Sequence, residues 1–477
     1  MNSATTSVAL VGGDVTPVQV EVHVGRPQEA FKLTGLPDTA VREAKDRVRA
    51  AVVSSGVKFP NRAITVNLSP AALPKGGSEY DLPIALGLLA ASQEIPSPRD
   101  VIVVGELALD GKVRSSSSGM AAGVLSARLG LPCLVPASSA SQAAAVPGAR
   151  VHSVKSLAEA VEKLRIGLAG EIEPAPTKTP PIAVSADLAD VRGQPMARRA
   201  IEVAAAGQHH LLLHGPPGGG KTMLARRLAW LLPPLGESDA VQVGLIHAAA
   251  GLDRGIRSDR PFRAPHHTAS RAALVGGGSG VAVPGEVSLA NHGLLFLDEL
   301  AEFPRSHLDT LRQPMEDGSV VIARRGTSVE FPSSFQLVAA TNPCPCGFTG
   351  DDRKPCRCRP AVVSRYRQRV SGPLLDRIDL LVKVGRVDAA EMTAADTESS
   401  QVVRGRVTKA AEFRSQRSDL VSMEANQLLL QALDSALITA RGAERIKRVA
   451  RTIADLALSE EVSEPHVAEA MALRGEW

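Results

Sequence analysis

Three groups of residues in this 477-residue chain have types and spacings suited to chemistry. The first is Gly215-Pro216-Pro217-Gly218-Gly219-Gly220-Lys221-Thr222, which fits G-x-x-x-x-G-K-[ST]. Glycines let backbone N–H groups approach phosphate oxygens, and a helix starting here aims its positive end at them. Lys221 would reach the β- and γ-phosphates of a nucleoside triphosphate, and the Thr222 hydroxyl would ligate Mg²⁺. The second group is Asp298-Glu299, closing the apolar run Leu294-Leu295-Phe296-Leu297. Alone, such a run is an ordinary strand end; about eighty residues after a P-loop it reads as a Walker B element. Asp298 would hold Mg²⁺ or its waters, and Glu299 is the natural general base for the attacking water. The third group is Cys344, Cys346, Cys356 and Cys358, spaced C-x-C-x9-C-x-C. Paired thiolates would supply a closed tetrahedral Zn²⁺ site. Free or redox-active thiols are the alternative, because C-x-C is tighter than the usual C-x2-C.

These groups need elements to hold them. Leu211 to His214 reads as a strand feeding the P-loop, Met223 to Leu228 as the helix leaving it, and Phe335 to Thr341 as a buried strand ending on Asn342. Upstream, Val18–Val24 and Ile64–Leu68 alternate as half-buried strands, and Val101–Val104 reads as a fully buried one. Between the first two, Asp38 is an N-cap candidate for a helix running to Val52, with apolar residues at Val41, Ala44, Val48, Ala51 and Val52. Ile84–Ala91 reads as a buried helix, Asp110-Gly111 as a hairpin turn, and Ser115–Ser118 as a flexible loop. Pro195 opens a helix to about Ala206, and helical patterning returns at Ser399–Arg404 and Ile446–Leu458. Glu171 to Pro181 has the Pro-rich composition of a stiff linker. The division is residues 1–168, an α/β domain; 169–184, linker; 185–385, the ATPase core; and 386–477, a helical domain.

Composition sets the outer limits. The chain is 44% hydrophobic and 22% charged with a net charge of +4, ordinary for a globular protein and only mildly basic. A polyanionic partner is permitted but must be argued from local patches. Aromatics make up 3%, which argues against base stacking as the main recognition device. Neither a signal peptide nor an apolar stretch of membrane-spanning length is found, so the expected compartment is the cytoplasm, with no membrane partner. Cys133 stands alone in an apolar stretch and reads as core.

Phe31-Lys32-Leu33-Thr34-Gly35-Leu36-Pro37-Asp38, Pro74 to Pro83 and Gly105 to Gly111, together with the ATPase motifs, resemble the competence protein ComM (YifB) family of magnesium-chelatase-like AAA+ proteins. The resemblance covers nearly the whole chain. It implies an N-terminal Lon-protease-like (S5 domain 2-like) α/β fold, a P-loop AAA+ α/β domain and a C-terminal helical lid. In the first of these, the nucleophilic serine falls on Glu79 and the activating lysine near Met120; Ser78 and Lys75 remain only formal candidates for proteolysis. The resemblance further implies that Asp187–Gln194 lies against the adenine, that Asn342 orients water as sensor 1, that Arg377 is the finger entering a neighbour's site, and that Arg441 is the sensor-2 arginine. An internal salt bridge with Asp376 or Asp379 is the alternative for Arg377, and a solvated helix face for Arg441.

Residues 260–280 resemble the hairpin inserted in this AAA+ branch; His266 and His267 there are taken as structural, since neighbours on a strand face opposite ways. Asp317–Phe331 reads as a hairpin tipped by Arg324-Arg325-Gly326, which in related rings faces the pore. Arg324 and Arg325 would grip DNA phosphates there, or form a solvated turn. Arg353, Lys354, Arg357, Arg359, Arg365, Arg367 and Arg369 make a basic stripe suited to a phosphate backbone or to a subunit contact.

The residues themselves call for ATP and Mg²⁺ and, in the cysteine loop, structural Zn²⁺; the resemblance implies a hexameric ring that remodels DNA by helicase-type branch migration in recombination and natural transformation. The alternative is a magnesium-chelatase-type motor acting on a protein partner.

Overall fold

The computed structural model describes the chain except residues 28–29, 36–37, 72, 74, 169–186, 279–281, 325–326, 352, 388–390, 392–396, 417–419, 436–437 and 476, and the side chains of Thr39, Arg324 and Thr327. The linker stretch therefore lies outside the described residues. So do Arg325 and the Arg324 side chain, the two proposed phosphate contacts.

The first 165 residues build a seven-stranded mixed sheet in the order Ala30–Thr34, Ala63–Ser69, Asp14–Val24, Asn2–Val11, Ile102–Val103, Pro132–Pro136, Arg150–Val154. Its first hairpin, Asn2–Val11 against Asp14–Val24, turns on Gly12 and Gly13, both with positive φ. Alternation in Asp14–Val24 buries Val18, Val20, Val22 and Val24 on one face. The helix expected from Asp38 to Val52 forms as two pieces, Thr39–Arg42 and Ala44–Ser54. Asp38 caps the first, its Oδ1 accepting from Val41 N at 2.8 Å. The serine run is not a loose loop. Ser116 and Ser118 are buried, and Ser118 leads into the helix Gly119–Leu129.

A second sheet carries the P-loop. Its five strands are all parallel, in the order Phe262–Arg263, Leu294–Leu297, Gln336–Thr341, Leu211–His214, Leu380–Lys383. The three central strands are apolar almost throughout because both faces are covered, as a parallel sheet requires. The helices Pro195–Gly207 and Lys221–Leu231 share a core with the C-terminal helices Ser400–Arg414, Met423–Asp434, Ala440–Leu456 and Glu464–Ala472. In Ala440–Leu456 the residues Ile446, Val449, Ala450, Ile453 and Ala454 are buried, the one-sided stripe of an amphipathic helix. Among the described residues no helix is long and apolar enough to cross a membrane.

The two sheets' units meet at the helix Glu237–Ala249. Leu245 belongs to the same apolar cluster as Met120 and Leu125. A Cβ on Gly244 would come within 2.8 Å of the Met120 sulfur, so glycine permits this close docking.

Candidate active site

Parallel strands deliver their C-terminal ends to one edge of the sheet, where loops converge. Leu211–His214 ends in the P-loop, with Gly218 and Gly220 at φ +81° and +84°. Gly215 has no room for a side chain, since a Cβ would stand 2.0 Å from the Val384 carbonyl oxygen. Lys221 opens the following helix, and its amine donates to the carbonyls of Gly215 (2.8 Å) and Pro216 (2.9 Å) and to Asn342 Oδ1 (3.2 Å). The P-loop lysine and the expected sensor asparagine thus share one space. Burial lowers the Lys221 pKa, and Asp298 pulls it back up.

The Thr222 hydroxyl donates to Asp298 Oδ2 at 2.7 Å. These are the two groups that would hold Mg²⁺, and a hydroxyl beside a carboxylate at the mouth of a phosphate loop fits that hard cation. When bound, it neutralises charge on the β- and γ-phosphates. Glu299 follows with a left-handed backbone (φ 51°). Its Oε2 lies 3.2 Å from His267 Nδ1. The histidine pair therefore does not behave as expected for a strand: the two rings lie tilted by 34° with centroids 4.0 Å apart, and His267 faces the candidate base. Nothing in the sequence pattern marked that pairing.

Asp187–Gln194 lies beside the P-loop helix. Arg227 donates to the Asp187 carbonyl (2.6 Å) and to Asp190 (2.8 Å), and Gln194 reaches Gly385 O at 2.7 Å.

Arg377 and Arg441 are elsewhere. Arg377 precedes the strand Leu380–Lys383, whose start pairs with the start of the P-loop strand. A four-residue strand of roughly 13 Å therefore separates that edge from the P-loop. There Arg377 is buried, donating to Pro373 O at 2.6 Å and pairing with Glu316. The internal partner is thus Glu316 and neither Asp376 nor Asp379. Asp379 instead receives Arg445 and Arg448, each at 2.7 Å. Arg441 is exposed on the first turn of Ala440–Leu456. The hydrogen bond from Arg377, joined by the charges of Arg377 and Arg441, holds the Glu316 carboxyl below its usual range. The two arginines share one edge, and it is not the P-loop's. A cavity of about 710 Å³ also opens on that edge, between Gly207–His210 and the C-terminal helices, well away from Lys221.

The four cysteines converge just beyond Asn342, with their sulfurs all within 4.8 Å of one another. Cys344 to Cys346, Cys344 to Cys356 and Cys346 to Cys356 are 3.4, 3.7 and 3.5 Å apart. Tetrahedral Zn–S bonds of 2.3 Å would place sulfurs roughly 3.8 Å apart, so this donor set fits the ion. Thr349 N, Thr349 Oγ1 and Cys358 N donate to the sulfurs, as groups around bound thiolates do. The loop rests on the P-loop, since a Cβ on Gly347 would meet Pro217 Cδ at 2.6 Å.

Residues 187–392 match the model "Magnesium chelatase, subunit ChlI", residues 20–138 match "Subunit ChlI of Mg-chelatase", and residues 397–474 match the subunit ChlI C-terminal model. Competence protein ComM of Haemophilus influenzae is 39% identical across 98% of this chain and 96% of its own. The chain belongs to the ComM/YifB family of magnesium-chelatase-like AAA+ ATPases. An uncharacterised protein of Mycobacterium tuberculosis is 45% identical across 98% of this chain and 97% of its own. A shorter match, 29% identical over 33% of this chain, is to Lon protease 2 of Bacillus subtilis. Membership in this family makes the chain an AAA+ ATPase that uses ATP and Mg²⁺.

Proposed function

We propose that this protein is a ring-forming AAA+ ATPase, assembled as a hexamer in the cytoplasm, that couples ATP hydrolysis between subunits to movement of DNA. Branch migration during recombination and uptake of transforming DNA is the specific activity. One observation carries the ring: Lys221, Thr222, Asp298, Glu299 and Asn342 gather at one edge of the sheet, while Arg377 and Arg441 gather at the other. A head-to-tail neighbour would bring that second edge to the first. In such an interface Lys221 would draw on the phosphates, Thr222 and Asp298 would hold Mg²⁺, and Asn342 would aim the water. Glu299 takes its proton, and Arg377 and Arg441 neutralise charge across the junction.

The DNA reading is supported by the name of the Haemophilus relative and by the exposed Arg353, Lys354, Arg357, Arg359 and Arg365 around the cysteine loop. Zn²⁺ in that loop would fix both the stripe and the wall of the nucleotide site. The test is ATP hydrolysis alone and with single-stranded, duplex and four-way-junction DNA, with Lys221→Ala and Glu299→Gln as blanks. Stimulation greatest with the junction and absent from both variants is expected. Robust hydrolysis indifferent to every DNA would overturn the DNA reading and favour the magnesium-chelatase-type motor with a protein client.

A further inference from the structure

We infer that Asp379 is a positioning residue for the neighbouring subunit's active site, holding Arg377 and Arg441 in one fixed relation to the P-loop strand of their own chain. The inference rests on reading those two arginines as acting across a subunit junction. Asp379 lies two residues after Arg377, at the foot of the strand Leu380–Lys383, and is 1% exposed. Its Oδ2 accepts the backbone N–H of His210 at 2.9 Å, and its own N–H returns to the His210 carbonyl at 3.0 Å. His210 leads directly into Leu211–His214, the strand that feeds the P-loop. The other oxygen, Oδ1, accepts from Arg445 Nη1 and Arg448 Nη2, each at 2.7 Å.

The helix end that carries Arg441 leans on that carboxylate. Residues 441, 445 and 448 are spaced i, i+4 and i+7 on Ala440–Leu456, so they share one face. The apolar stripe that roots this helix in the core starts at Ile446 and runs away from Arg441. Ahead of the stripe, the first turn is held by the Thr439 cap, which accepts from Gly442 N at 3.1 Å, and by Arg445 on Asp379. Arg441 stands roughly 6 Å further along the axis than Arg445, so freeing Arg445 frees the turn that aims Arg441.

What such a carboxylate adds is direction. A buried ion network is often no more stable than apolar packing of the same volume, so its contribution is the geometry it fixes. Here two oxygens join the turn of Arg377, the helix of Arg441 and the root of the P-loop strand. The turn is also held through its main chain, with Arg474 donating to the Asp379 carbonyl at 3.1 Å, so the chain has a second fastening there when the carboxylate is changed.

The test is hydrolysis by the full chain, pure and in mixtures. Misplaced groups at the neighbour's site are expected to lower kcat of Asp379→Asn about 10²-fold, with the Kd of a fluorescent ATP analogue unchanged. Mixed with Lys221→Ala subunits, whose far edge is intact, Asp379→Asn subunits should recover part of the rate. Mixed with subunits carrying both substitutions, they should not. Arg445→Gln leaves Asp379 its bonds to Arg448 and His210 and should show the same pattern at smaller size, whereas Arg445→Lys keeps a charged donor and should stay near wild type. An unchanged kcat in Asp379→Asn overturns the inference, as does weakened analogue binding that mixing does not restore. No recovery under conditions where Arg377→Ala subunits do recover overturns it too. If neither variant recovers in the mixture, the reading of the arginines across the junction fails and the inference with it. Should Asp379→Asn not fold, Arg445→Gln is read by the same criteria.

Discussion

Two regions of the chain place a lysine, hydroxyls and carboxylates close together, and only one of them is built to react. At the end of the P-loop sheet, Lys221, Thr222, Asp298 and Asn342 are partly exposed and bonded to one another around the space where phosphates would lie. In the N-terminal unit, the half-buried Glu79 accepts from the buried Ser118 at 2.9 Å. Ser78 donates to Glu106, and the buried Lys75 amine is taken up by the carbonyls of Leu68 and Pro70. Met120, near which the resemblance puts the activating lysine, packs onto Gly244 of the ATPase unit. Residue types are similar in the two places; access and mutual arrangement differ. Nucleophile and base must be positioned together and be reachable, and the N-terminal groups are each satisfied internally. What that unit offers instead is a docking face for the helix Glu237–Ala249.

The sharpest way to break this comparison is to remove the reactive groups of each region. Glu299→Gln should lower kcat at least about 10²-fold, the range for a lost general base, and Lys221→Ala should abolish turnover. Ser78→Ala and Lys75→Met should leave the ATPase rate near wild type, read in the same assay. Arg377→Ala is expected to cost about 10³-fold, the range for an arginine finger. Its decisive form is a mixture. Subunits with Lys221→Ala and subunits with Arg377→Ala are each inactive, but together they should regain part of the rate. Each mixed ring would contain junctions with one intact edge from either parent. No recovery would mean that Arg377 serves only its own chain through Glu316.

Metal removal is expected to act next, and at a distance of one contact. Stripping the ion with 1,10-phenanthroline, followed by return of Mg²⁺, should loosen Gly347 from Pro217 and raise the Kd of a fluorescent ATP analogue about tenfold, or roughly 1.4 kcal/mol. Cys346→Ser should do the same while losing zinc by elemental analysis. Zinc-free protein with unaltered nucleotide affinity would separate the cysteine loop from the active site.

The contrast also explains what was legible in the sequence. The P-loop, the strand ending in Asp298-Glu299 and the strand ending at Asn342 announce themselves because each is an apolar run stopped by a polar residue at the same sheet edge. The cysteine array reads from spacing alone, and the amphipathic helix Ala440–Leu456 from its apolar stripe. Contacts between segments far apart in the chain left no such mark. His267 with Glu299, Glu316 with Arg377 and Gly347 with Pro217 depend on how loops cross the sheet edge. The break between Thr39–Arg42 and Ala44–Ser54 was likewise hidden, since Val41 and Ala44 both sit on a helical period that runs through it.

The effect expected from Glu79 falls on stability and leaves turnover unchanged, and it tests whether the N-terminal polar cluster is structural. Burial pushes its carboxyl from 4.5 up to about 7; the Ser118 hydrogen bond opposes this, and the nearby Asp38 and Asp81 add to it. A raised pKa in the folded state means that the folded protein holds a proton the unfolded chain has released. Below about pH 4.5 both states are protonated and nothing is lost. Between there and about pH 7 the unfolded chain binds fewer protons, so stability falls as pH rises, and above that it stays level. The full swing is about 3 kcal/mol. Glu79→Gln keeps the acceptor for Ser118 and cannot ionise, so its stability should lack that slope. Thermal melts at pH 5 and pH 8 should show wild type losing more stability than Glu79→Gln on going to the higher pH, with ATP hydrolysis equal in the two proteins at pH 8. If Glu79→Gln instead slows hydrolysis, the Glu79 carboxylate communicates with the ATPase through Met120 and Gly244, and the two regions are not as separate in function as they are in chemistry.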